Sequence, residues 1–201
     1  LDRTTVSLGL GVHMTRKARK LPSLEKNLLK YRAFEMLLVL FEVEDLKRFV
    51  VRSIRSTDAI LGKEPRLPDN APKLMKRAWG IVAGLGILTD DECEDVQRFV
   101  AYRDTIAHRI HEMTADVSEF ARRGGNPPFK GYDYEALRKI RDYKRKIQKG
   151  FQEHFIMEMS LNALYFEPAQ LVFEDELVSL RKRIDKQWDE RTKALRKKDR
   201  K

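Results

Sequence analysis

From Leu24 to Leu61 apolar residues recur three to five positions apart, and no glycine or proline interrupts them until Gly62. Leu24, Leu28, Tyr31, Phe34, Leu38, Phe41, Leu46, Phe49 and Val50 fall on one side of a helix at that spacing. A strand, which alternates every second residue, cannot bury such a set. The run is long for one helix, so a bend near Glu42 to Asp45 is expected, with Gly62 as the stop. Only 10 glycines and 7 prolines punctuate 201 residues, which favours long helices throughout.

The remaining segments follow the same period. Lys63 to Asn70 is a proline-containing loop, and Asn70 is placed to cap a helix whose first positions are Ala71 and Pro72. That helix carries Leu74, Met75, Ala78, Trp79 and Val82 and ends around Gly84 to Gly86. Ile87 and Leu88 form a short apolar connector. Thr89 to Glu92 has the residues of a capping box, in which the threonine hydroxyl and the glutamate carboxylate satisfy each other's free backbone N–H. A helix follows with Val96, Phe99, Val100, Ile106 and Ile110 inward, and it is expected to run as far as Phe120. Arg123 to Tyr132 is dense in glycine and proline and breaks the chain. Tyr134 to Phe166 reads as one further long helix. Pro168 is expected to interrupt, and Leu171 to Lys201 to form a basic final helix. The fold class is all-α: a basic lead-in at 1–20, a helical bundle at 21–166, and a basic C-terminal helix at 167–201.

Charge narrows the partners. A formal net charge of +10 draws phosphate polyanions by long-range field and counterion release. The single cysteine, Cys93, excludes an internal disulfide and a cysteine-based zinc site. Its acidic neighbours Asp91, Glu92, Glu94 and Asp95 disfavour a reactive thiolate there. No apolar run approaches the ~20 residues of a membrane span, and the start has no signal-peptide core. The expected location is cytoplasmic, with no membrane partner.

The chemistry-bearing segment is Arg103-Asp104-Thr105-Ile106-Ala107-His108, within the helix after the capping box. At about 100° per residue, Asp104 and His108 lie one turn apart on one face, and Arg103 about 140° from His108. A carboxylate one turn away can orient an imidazole. Histidine can take a proton from a ribose 2′-OH, and arginine can hold a phosphate and the extra charge of a five-coordinate transition state. Such a transesterification requires no metal or other cofactor. His108, His111, Glu112 and Asp104 share a helical stripe, but their spacing fits no closed zinc motif.

An Arg, a polar residue and a His five positions after the Arg, entered through Gly86-Ile87-Leu88-Thr89-Asp90-Asp91, resembles the signature of the HEPN family, R-x(4–6)-H. The resemblance covers about residues 24–165, with its specific part in the motif. It implies a helical bundle and a metal-independent endoribonuclease that leaves a 2′,3′-cyclic phosphate. Arg103, His108 and Asp104 would be its catalytic residues, and two motifs would meet across a homodimer. It also implies a bacterial toxin–antitoxin or anti-phage setting, with an antitoxin or regulatory protein as a further partner. Some HEPN toxins carry a modifiable tyrosine two places after the histidine; here that place is Ile110.

RNA contacts are expected from Tyr102, Arg109, His111, Lys130 and Arg138. Tyr132, Tyr134 and Tyr143 alternate with Lys130, Arg138, Lys139, Arg141, Lys144, Arg145 and Lys146, a pattern suited to stacking and phosphate contact. His154, in a mostly apolar run, is expected to be packed. The alternatives are a non-catalytic module that binds RNA, nucleotide or protein, and a helical subunit that associates through its C-terminal helix.

Overall fold

The structure is a computed structural model that describes residues 21–123, 132–158 and 160–198, the backbone alone over 118–123 and at 198. The basic lead-in at 1–20, Lys130 and most of the glycine- and proline-rich break lie outside the described residues. Six helices are present: α1 (Ser23–Ile60), α2 (Leu74–Gly84), α3 (Asp90–His108), α4 (Glu112–Arg123), α5 (Ala136–His154) and α6 (Leu161–Lys198). Among the described residues there is no strand. No described helix is long and apolar enough to cross a membrane.

α1 is the central column, about 57 Å long at 1.5 Å per residue. It is one continuous helix through Glu42 to Asp45. Those two carboxylates are nearly buried, and cross-helix partners hold them in place. Lys144 donates to Glu42 Oε2 and lies 2.8 Å from Asp45 Oδ2, while Arg141 donates to Glu42 Oε1. Gly62, at φ 61°, ends the helix. Its N–H reaches Ala59 O and that of Lys63 reaches Asp58 O, the paired bonds of a Schellman turn, which only a left-handed residue can close. Gly86, at φ 68°, ends α2 in the same way, with bonds to Ala83 O and from Ile87 to Val82 O.

Side-chain pairs fix how the helices run. α5 is parallel to α1: Arg141 meets Glu42 near its start, Phe151 meets Phe49 in its last turn, and Ile156 N–H donates to Thr57 Oγ1 beyond it. α3 lies antiparallel to α5, with Lys146 on Glu92 and Tyr143 on Asp95. α6 returns antiparallel to α1, with Phe166 stacked on Phe41, Phe173 on Phe34, and Arg191 on Glu25. The core between these helices includes Leu38, Val50, Ile54, Trp79, Val96, Ile106, Ile140, Ile147 and Phe151. The apolar connector residues Ile87 and Leu88 are also buried.

Several boundaries differ from the sequence reading. α2 begins at Leu74, not Ala71, because Lys73 is left-handed at φ 55° and breaks continuity with Pro72. α3 stops at His108, and α4 starts afresh at Glu112 instead of continuing to Phe120. The turn exposes Ile110, expected inward, and sends α4 along α1. There Met113 and Val117 are buried, and Asp116 pairs with the fully buried Arg32. The helix expected over 134–166 is divided. Phe155 is extended and buried on Phe151. The chain then reverses, with Ile156 and Glu158 bonded to Thr57 and Ser56 at the end of α1. α6 starts at Leu161 and continues past Pro168 as one helix. A proline costs a helix one N–H bond and strands a carbonyl four residues earlier. Here both Pro168 and Leu164 are exposed, so water can take that carbonyl.

Candidate functional site

α3 places the motif. Thr89 Oγ1 accepts from Glu92 N–H, and Glu92 Oε2 accepts from Thr89 N–H, so the expected capping box is formed. Lys146 bonds the same Glu92 carboxylate and holds it below the usual carboxylate range. Cys93, one turn in, is buried with its thiol near Trp79 O. Burial first, then Asp90 and Glu92, push that thiol upward, away from thiolate chemistry. The other end of α3 closes at Arg109, whose N–H reaches Thr105 O at 2.7 Å.

The arginine of the motif is held from two sides. Its Nη1 donates to Asp104 Oδ1 at 2.8 Å. Its Nε lies 3.1 Å from Glu44 Oε1 on α1, close enough for an ion pair but misaligned for a hydrogen bond. Nη2 makes no hydrogen bond among the described residues, and the side chain is 26% exposed. Two carboxylates therefore orient the guanidinium and leave one amino group open. Glu44 was not visible in the sequence as part of this site. It is one of many acidic residues on α1, and only the packing of α3 on α1 selects it.

His108 is exposed at the last position of α3, and its imidazole has no hydrogen-bond partner among the described residues. Asp104 takes Arg103 and not His108, although one helical turn separates Asp104 from the histidine. The adjacent guanidinium, always charged, outcompetes an imidazole for that carboxylate. Arg109 and His111 are exposed in the turn to α4, each 4.0 Å from Glu112. Among the described residues no group of three or more His, Cys, Asp or Glu is placed to hold a metal ion.

The expected aromatic contacts are spent on packing. Tyr102 is half-buried, and its hydroxyl accepts from Asp133 N–H. Burial is the main cause that raises its pKa. Tyr132 is buried and donates to Glu35 at 2.6 Å, Tyr134 accepts from Arg32 Nε, and Tyr143 donates to Asp95. Arg138 lines a separate groove of about 670 Å³ between α1, α5 and α6, paired with Glu135 and Asp142. His154 is exposed, not packed as expected, because α5 ends there.

No protein-family model, curated protein or solved structure matches this chain.

Proposed function

We propose that this chain is a metal-independent endoribonuclease of HEPN type. The observation that carries the reading is the end of α3: an open, unpartnered imidazole five residues after a guanidinium that two carboxylates hold in place. The two positions are about 7.5 Å apart along the α3 axis and about 140° apart around it, so an RNA that meets both must pass round the end of the helix. His108 takes the proton of the 2′-OH. The 2′-oxygen attacks phosphorus and the P–O5′ bond breaks, leaving a 2′,3′-cyclic phosphate and a 5′-OH strand. The free Nη2 of Arg103 binds the phosphate and the charge that builds on its oxygens. Asp104 positions Arg103, a change from the histidine-orienting role expected of it. The proton for the leaving 5′-oxygen comes from a second copy of the chain.

RNA supplies the charge that the net +10 favours, and Arg109 and His111 extend the polar face beyond His108. Tyr102 stays in the RNA-binding set through its ring alone, since its hydroxyl accepts from Asp133 N–H. The setting is a bacterial toxin–antitoxin or anti-phage system in the cytoplasm, with an antitoxin or regulator as the controlling partner.

The pair with Glu44 favours a second reading. It makes Arg103 a strut between α3 and α1, with the same face binding RNA without turnover. The two readings separate on single substitutions. Catalysis requires that His108→Ala and Arg103→Ala each lower cleavage by ~10²-fold or more. The binding reading requires wild-type protein that retains RNA and does not cut it.

A further inference from the structure

α6 is apolar on two opposite faces. Phe166, Phe173, Leu177 and Leu180 point to α1 and the core. Leu161, Leu164, Tyr165, Leu171, Val172 and Val178 point outward, each between 52% and 82% exposed. At about 100° per residue the six fill an arc of about 140°, with Pro168 inside it and Asp175 the one charge within it. A helix stripe of that width is the kind that packs against a neighbour. α1 is the neighbour on one side, and the described residues supply none on the other.

We propose that this outer face, from Leu161 to Val178, is where a second copy of the chain docks, its α6 antiparallel to the first with Pro168 near the twofold axis. Area is the first argument. The six side chains leave on the order of 600 Å² of apolar surface in water, the upper range for a monomer and close to the roughly 800 Å² per partner of a standard interface. Ile156 and Met157, exposed just before the helix, extend it.

The centre of the stripe is also complementary to itself. An antiparallel copy centred on Pro168 sets Leu164 against Val172 and Tyr165 against Leu171, each pair occurring twice as a twofold demands, with Asp175 beside Leu161 at the two ends. A parallel copy would bring Asp175 onto Asp175. The antiparallel arrangement separates those carboxylates by about 21 Å along the axis. Charge argues against an anionic lipid surface as the occupant. Between Leu161 and Val178 the helix carries Glu167, Glu174, Asp175 and Glu176 and no lysine or arginine, whereas membrane-surface helices are rich in basic residues.

Neither Arg103 nor His108 belongs to this face, so the α6 dimer is a separate contact from the one through which a second copy would supply the proton in the proposed cleavage. Sedimentation equilibrium of the full chain should give a dimer at about 100 µM. Val172→Glu should weaken association at least ~100-fold, as removal of a central apolar anchor does, with helix content and Tm unchanged. Under mild oxidation Pro168→Cys should yield a covalent dimer, and Asp175→Cys should not. A monomeric wild-type chain overturns the proposal, including one that dimerises only after residues 1–20 are removed. So does a dimer that survives Val172→Glu, or one that Asp175→Cys cross-links as well as Pro168→Cys.

Discussion

Arg103 of α3 and Glu44 of α1 lie with Nε and Oε1 3.1 Å apart, while Asp104 takes the other side of the same guanidinium. The motif arginine is thereby tied to the central helix of the bundle and not merely to its own helix. Both side chains of the pair are partly exposed, at 26% and 35%, so the bridge itself contributes under about 1 kcal/mol to stability. Its consequence lies in orientation.

Glu44→Gln should therefore leave the fold intact, with an unfolding free energy within about 1 kcal/mol of wild type. RNA cleavage should fall about tenfold in kcat with KM nearly constant, because a misaligned clamp loses transition-state contact before ground-state binding. Paired urea denaturation and steady-state cleavage assays check both halves.

Asp116→Ala should act through stability alone. Arg32 is fully buried, its Nη1 and Nη2 bonded to Asp116 at 2.6 and 2.9 Å. Removing the carboxylate leaves a buried guanidinium short of its counter-charge, a loss of roughly 3–5 kcal/mol. Equilibrium unfolding in urea measures it.

Glu35 gives the fold a pH dependence. Burial is the main cause that lifts its carboxyl from 4.5 to about 7, against the hydrogen bonds from Tyr132 and Tyr31. The same burial, with Glu35 nearby, lifts Tyr31 to about 12. Because the folded carboxyl holds its proton more tightly than the unfolded one, its contribution to stability is full below about pH 4.5. It declines as pH rises to about 7 and is flat above. The decline amounts to roughly 3 kcal/mol at 1.36 kcal/mol per unit. Glu35→Gln should remove it, so the difference between mutant and wild-type unfolding free energies should grow in the mutant's favour between pH 4.5 and pH 8.

Gly150 lets α5 touch the connector after α2. A Cβ there would sit 2.6 Å from Ile87 Cγ2 and 2.8 Å from its Cγ1. Gly150→Ala gains about 1 kcal/mol of helix propensity yet should destabilise on balance, since overpacking costs about 1–3 kcal/mol. Adding Ile87→Ala should recover part of that loss, a favourable coupling that a double-mutant cycle reads directly.

The residues made some of this legible and not the rest. Local chemistry carried over well: Gly62 and Gly86 stop their helices, Thr89 and Glu92 cap α3, and Ile87 and Leu88 are buried. Boundaries decided by tertiary contacts did not. The helical period from Val96 runs through Ile110 without a break. The turn at Arg109 redirects the chain so that Asp116 on α4 meets Arg32, 84 positions away in sequence. Pro168 reads as a stop, but its ring sits on the exposed side of α6, where water can take the carbonyl that loses its bond. At the site, spacing placed Asp104 beside His108. It could not show that Arg103, the nearer and permanently charged neighbour, would claim that carboxylate, or that Glu44 would arrive from another helix.

The central claim is tested by incubating the full chain with single-stranded RNA in excess EDTA and identifying the new ends by mass spectrometry. Wild-type protein should leave 2′,3′-cyclic phosphate and 5′-hydroxyl termini, and both Arg103→Ala and His108→Ala should lose them. Cleavage that EDTA abolishes, cleavage that His108→Ala leaves unchanged, or intact RNA with the wild-type protein would contradict it.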